Sequence, residues 1–64
     1  VRGDCYRWRR RHVVELNGRS AEFWSYYRPG FWLEMDARDE ARRAGLVKDK
    51  SDYDRLKLDG RPMA

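Results

Sequence analysis

The chain has one cysteine, one histidine and two prolines in 64 residues, and each scarcity removes a class of explanation. A single cysteine, Cys5, forms no internal disulfide and supplies no cysteine-rich zinc site, so it reads as a small strand residue. The single histidine, His12, has no acid–base partner close in sequence, because Glu15 falls on the other face of the strand that carries both. Ser20 and Ser51 read as turn and cap residues, not nucleophiles. No glycine-rich loop cradles a phosphate, and Asp49, Asp52 and Asp54 lack the glycine and terminal glutamate of a calcium loop. The sequence therefore predicts a protein that is not an enzyme and uses neither a cofactor nor a metal. No apolar run approaches the length of a membrane span, and no stretch reads as a signal peptide. The expectation is a cytoplasmic chain with no membrane partner. Lysine is scarce as well, at three against twelve arginines, which favours planar, bidentate and stacking contacts over point charges.

Aromatic residues are what the chain has in quantity. Three tryptophans, four tyrosines and two phenylalanines supply buriable area to a chain near the lower limit for folding without a staple. Disordered segments are poor in such residues, so a single folded domain over residues 1–64 is expected.

Residues 5–28 organise the rest. Asn17-Gly18 lies between two β-rich runs and is the strongest short hairpin signal, since a type I′ turn needs positive φ at both central residues. With those two at the turn, Leu16 faces Arg19, Val14 faces Ala21, His12 faces Phe23, Arg10 faces Ser25 and Trp8 faces Tyr27. Side chains alternate along a strand, so one face collects Tyr6, Trp8, His12, Val14, Leu16, Ala21, Phe23 and Tyr27 and reads as the core side. The other face collects Cys5, Arg7, Arg9, Arg11, Val13 and Glu15, with Ser20, Glu22, Trp24, Tyr26 and Arg28 across from them. In this register Arg11 opposes Trp24 and Arg9 opposes Tyr26, geometry that allows guanidinium–ring stacking. A slip of one residue would exchange the two faces.

Residues 1–4 read as a lead-in. Arg28-Pro29-Gly30 breaks the second strand. Residues 31–35 fit either a short third strand or the first turn of a helix, and residues 36–44 read as a helix with Leu33, Ala37, Ala41 and Ala44 on one stripe. Asp36 is a candidate N-cap, and Gly45 follows Arg42 and Arg43 as a fitting C-terminal signal. Ser51 and Asp54 match a capping box, which predicts a second short helix over 51–58 with Tyr53 and Leu56 inward. Asp59-Gly60 reads as its end and residues 61–64 as a tail. The predicted fold class is small α+β: an antiparallel hairpin, or a three-stranded sheet if 31–35 is extended, packed by one α-helix and a short C-terminal helix.

A β-ribbon with this composition suggests two modes of nucleic-acid binding. It enters a groove with arginines on phosphates, or its aromatics stack on unpaired bases. The candidate nucleic-acid-binding residues are Arg7, Arg9, Arg10, Arg11 and Arg28 for the backbone, with Trp24 and Tyr26 as the stacking pair. Against this stand Asp36, Asp39, Glu40, Asp49, Asp52, Asp54 and Asp59, which repel phosphate unless turned away. The alternative partner is a protein: Trp, Tyr and Arg are enriched in binding hot spots, and two hairpin edges are open to a partner's strand. That alternative is an adaptor, an inhibitor or an accessory subunit of a larger complex. The run Ala41-Arg42-Arg43-Ala44-Gly45-Leu46 resembles the turn of a helix-turn-helix. The helix that should follow lacks an apolar residue near Lys50-Ser51, and no residue roles are carried from it.

Overall fold

A computed structural model of the chain describes residues 5–63; residues 1–4, read above as a lead-in, and Ala64 lie outside the described residues. The fold is small α+β, a four-stranded antiparallel sheet with one α-helix and a short 3-10 helix. Strands β1 (Cys5–Leu16) and β2 (Arg19–Tyr27) are joined by Asn17 at φ 53° and Gly18 at φ 79°, the left-handed pair that a type I′ turn demands. From Leu16 opposite Arg19 to Arg10 opposite Ser25, the register runs as the turn dictates.

Beyond Arg10 the ladder breaks. Cys5 is the partner of Tyr27, so Tyr6, Arg7, Trp8 and Arg9 stand against the single residue Tyr26. This wide bulge corrects two expected pairs. Trp8 does not face Tyr27 and does not enter the core; it is 74% exposed. Arg9 does not oppose Tyr26 in the ladder. The physical reason lies in the composition of the strand: strict alternation would have put Arg10 beside Trp8 and His12 on a buried face. An extra loop of backbone releases the arginine run to water, as bulges do when they re-aim side chains.

Helix α1 (Phe31–Arg43) starts directly after Pro29-Gly30, so residues 31–35 are helical and not a third strand. Gly30, not Asp36, is the N-cap, and the Glu34 amide donates to the Gly30 carbonyl at 3.1 Å. The Asp36 carboxylate accepts instead from Ser25 Oγ at 2.8 Å, tying the helix to β2. Leu33, Ala37 and Ala41 are buried, and the two alanines let the helix approach the sheet closely. Ala44, read as the last residue of that stripe, is exposed and serves as the C-cap. The Gly45 amide then donates to Arg42 and the Leu46 amide to Ala41, the paired bonds of a Schellman motif that buries Leu46.

The C-terminal third departs furthest from the sequence reading. The short helix is a 3-10 segment, Lys50–Arg55, and its capping box is Asp49 with Asp52, not Ser51 with Asp54. Backbone amides of Lys48 and Asp49, with the Arg55 guanidinium, hold the Asp52 carboxyl below its ordinary range. Leu56 is buried and Tyr53 half-buried. Asp59-Gly60 is not a helix end. With φ of 53° and 82°, it turns a second hairpin between β3 (Lys57–Leu58) and β4 (Arg61–Pro62), so the first two residues of the expected tail are a strand. Strand β3 pairs with β1 at Val14 and Glu15, giving the order β2-β1-β3-β4. One of the two hairpin edges read as open is therefore covered at that end.

The core is Val14, Leu16, Phe23, Leu33, Ala37, Ala41, Leu46 and Leu56, all between one face of the sheet, α1 and the C-terminal segment. His12 is buried at its margin, its ring centroid 5.5 Å from that of Phe23. Its Nδ1 meets Asp59 Oδ2 at 2.7 Å, while Asp59 Oδ1 accepts the Val13 amide at 3.0 Å. The Asp59 amide also donates to the Val13 carbonyl at 2.8 Å, so this one residue clamps the second hairpin onto β1. No helix among the described residues is long and apolar enough to cross a membrane.

Candidate functional site

Because α1 covers one face of the sheet, the opposite face at β1 and β2 is left to solvent. Trp24 and Tyr26, two residues apart on β2, are 57% and 52% exposed there. Arg11 lies opposite Trp24 in the ladder, but its guanidinium turns to Glu22 at 3.5 Å. Both partners of that pair are largely exposed, so it contributes little. The guanidinium over Trp24 belongs to Arg9, whose carbon lies 5.5 Å from the ring centroid.

The bulge gathers the remaining candidates. Arg10 and Arg28 both lie over the Tyr6 ring, at 4.3 Å and 4.6 Å from its centroid. Arg7 lies 5.8 Å from the Trp8 ring. Tyr6, Arg7, Trp8, Arg9, Arg10 and Arg28 together line an open cleft of 350 Å³. Stacking on aromatic rings holds cationic groups in place without neutralising them, at about 0.5–1 kcal/mol for an exposed pair.

Charge pairing separates these arginines from those of α1 and the 3-10 segment, while Arg19 and Arg61 share their lack of an ion pair among the described residues. Arg38 pairs with Glu34, Arg42 with Asp39, Arg43 with Asp39 and Glu40, and Arg55 with Asp52. Among the described residues, no carboxylate lies within ion-pair distance of Arg7, Arg9, Arg10 or Arg28. Most of the acids that seemed set to repel phosphate are therefore occupied elsewhere. Asp39 and Glu40 pair along α1, Asp49 and Asp52 cap the 3-10 segment, Asp36 holds Ser25, and Asp59 holds His12. One cleft of mixed charge borders the site: Asp36, Asp39, Glu40 and Arg43 share it with Trp24 at the outer edge of β2.

Six of the seven residues named from the sequence thus lie on the two strands and Arg28 directly follows β2; they form two groups that share Arg9. Arg9, Trp24 and Tyr26 share the open face, with Arg11 turned toward Glu22. Arg7, Arg10 and Arg28 line the bulge cleft. Tyr6 and Trp8, assigned to the core from alternation, line that cleft as well. A signal for them was present: the same alternation placed Arg10 on the face that was to be buried.

A second exposed cluster sits at the start of α1. Phe31, Trp32 and Met35 are all exposed, and Trp32 stacks on Tyr27 with centroids 6.2 Å apart. No family model, curated protein or solved structure matches this chain.

Proposed function

We propose that this chain is a small, non-enzymatic nucleic-acid-binding domain whose contact surface is the basic and aromatic side of the β1–β2 hairpin. The observation that carries this reading is the cluster of four arginines, Arg7, Arg9, Arg10 and Arg28, held on aromatic rings and with no carboxylate partner among the described residues. Pre-positioned, unneutralised guanidiniums beside exposed aromatics are what a polyanion with flat bases recruits. The cytoplasm is the setting that accompanies this reading.

Each phosphate contact that is lost should reduce the salt dependence of binding by a fixed increment. Arg9→Ala and Arg10→Ala are each expected to weaken binding and to flatten the slope of log affinity against log salt by about 0.7–0.9. Mobility-shift titrations from low to physiological salt read this directly. Absence of binding to any DNA or RNA at low salt removes the proposal.

The second reading is a protein adaptor, inhibitor or accessory subunit, and the exposed Phe31–Trp32–Met35 cluster favours it. An interface anchored on those side chains would persist in about 1 M salt, where charge contacts are screened within a few ångströms. A complex recovered by pull-down at low salt and lost at high salt counts against it.

A further inference from the structure

We infer that the ligand of this face is a single-stranded polynucleotide, bound by base stacking on Trp24 and Tyr26 and not by insertion of the ribbon into a duplex groove. The inference rests on the nucleic-acid reading above and narrows it. Three features of the structure argue for it.

The first is width. A major groove of about 12 Å admits a two-stranded ribbon. Near the Asn17-Gly18 turn the sheet has the order β2-β1-β3-β4, four strands side by side. At about 4.8 Å per strand, the outer strand axes stand roughly 14 Å apart before any side chain is added. That end of the hairpin also carries Glu15 and Glu22, of which Glu22 is exposed. At the other end the ribbon is two strands wide but thickened, because Trp32 from α1 stacks on Tyr27.

The second is ring spacing. Trp24 and Tyr26 are alternate residues of one strand, so their side chains leave the same face roughly 7 Å apart. That is about twice the 3.4 Å separating nucleotides along a duplex strand. Bases in a duplex already have both faces covered by neighbours. Two aromatic platforms at double that interval match a strand whose bases are unstacked from each other.

The third is lateral charge. Trp24 has Arg9 over its ring on the β1 side, while the cleft beyond the β2 edge holds Asp36, Asp39 and Glu40 together with Arg43, which pairs with the last two. A base lying on Trp24 would place its phosphate toward β1 and the bulge cleft, where Arg7, Arg9, Arg10 and Arg28 stand. The face thus offers one lane for bases and a parallel lane for phosphates.

The test is fluorescence anisotropy of the whole chain at matched salt, using an oligo(dT), an oligo(U) and a mixed-sequence duplex, each of about 12 nucleotides or base pairs per strand. Both single strands are expected to bind more tightly than the duplex. Trp24→Ala and Tyr26→Ala should each weaken single-strand binding by at least about fivefold while leaving duplex binding little changed. Trp24→Phe should retain most of it. Because both rings are exposed, either substitution serves if the other fails to fold, with circular dichroism as the check. Equal or tighter duplex binding, or single-strand affinity unmoved by loss of either ring, overturns the inference while leaving the nucleic-acid reading intact. Failure of all three probes to bind at low salt overturns both.

Discussion

Leu33→Ala is expected to leave most of the protein unfolded at 25 °C. Leu33 is 1% exposed and is among the largest fully buried side chains, set where α1 meets the sheet. Truncating such a leucine costs about 2–5 kcal/mol, made of lost transfer energy and the cavity left behind. A chain of 64 residues has few means to absorb that. Below about 70–80 residues, a core rarely supplies more than roughly 3–5 kcal/mol in net stability. The neighbouring positions on the stripe are Ala37 and Ala41, which have no side-chain length with which to close the gap. Urea titration followed by circular dichroism should show loss of the cooperative transition or a midpoint close to zero denaturant. A variant that melts cooperatively with under about 1 kcal/mol lost would mean that the helix does not rest on this residue.

Asp59→Ala should give the second largest effect, through the clamp between the two hairpins. The substitution removes acceptors for the His12 ring and the Val13 amide and strands a buried imidazole whose Nε2 has no partner among the described residues. Hydrogen bonds to a charged acceptor are worth about 1.5–3 kcal/mol, and exposure of half the Asp59 side chain places the pair near the lower end. Alanine also tolerates φ 53° poorly, adding about 1 kcal/mol. The total is about 3 kcal/mol. Asp59→Asn should cost less, since asparagine accepts the left-handed turn and keeps an oxygen for the Val13 amide.

The same carboxylate makes stability depend on pH. Burial pushes the Asp59 carboxyl up, but the His12 hydrogen bond, the Val13 amide and the electrostatic pull of His12 outweigh it and hold it below its ordinary value. A carboxyl that is more acidic in the folded chain contributes its full stability above the unfolded value of about 3.9 and loses it as pH falls through the folded value. Urea midpoints should therefore stay level with respect to this group from neutral pH to about pH 5 and decline below about pH 4. In Asp59→Asn that decline should be shallower, with Asp52, also held low by the Lys48 and Asp49 amides and Arg55, supplying the rest. An acid limb identical in the two proteins would remove Asp59 from the account.

Local chemistry alone settled the first hairpin from its turn as far as Arg10 and Ser25. Asn17-Gly18 admits few backbone solutions, and once the chain reverses there, period-two alternation assigns His12, Val14, Leu16 and Phe23 to the buried side. The α1 stripe was legible for a similar reason, because Leu33, Ala37 and Ala41 recur at the helical interval. Asp59-Gly60 carried the same turn chemistry as Asn17-Gly18 and was read as a helix end, because its flanking strands are only two residues each. Strands that short have no detectable alternation of their own and exist through pairing, β3 with β1 and β4 with β3, and through the Asp59 clamp.

For the candidate site, sequence alone determined which residues are on the hairpin and that Trp24 and Tyr26 share a face. Only the tertiary structure decided the rest: the bulge that brings Tyr6 and Trp8 out to line the arginine cleft, the transfer of Arg9 to the Trp24 ring, and the pairing of acids with other partners. The reason is physical. Turn geometry and alternation act between near neighbours in the chain. Whether a run such as residues 6–10 stays in register depends on what would have to be buried if it did, and that is known only once the helix has taken its place.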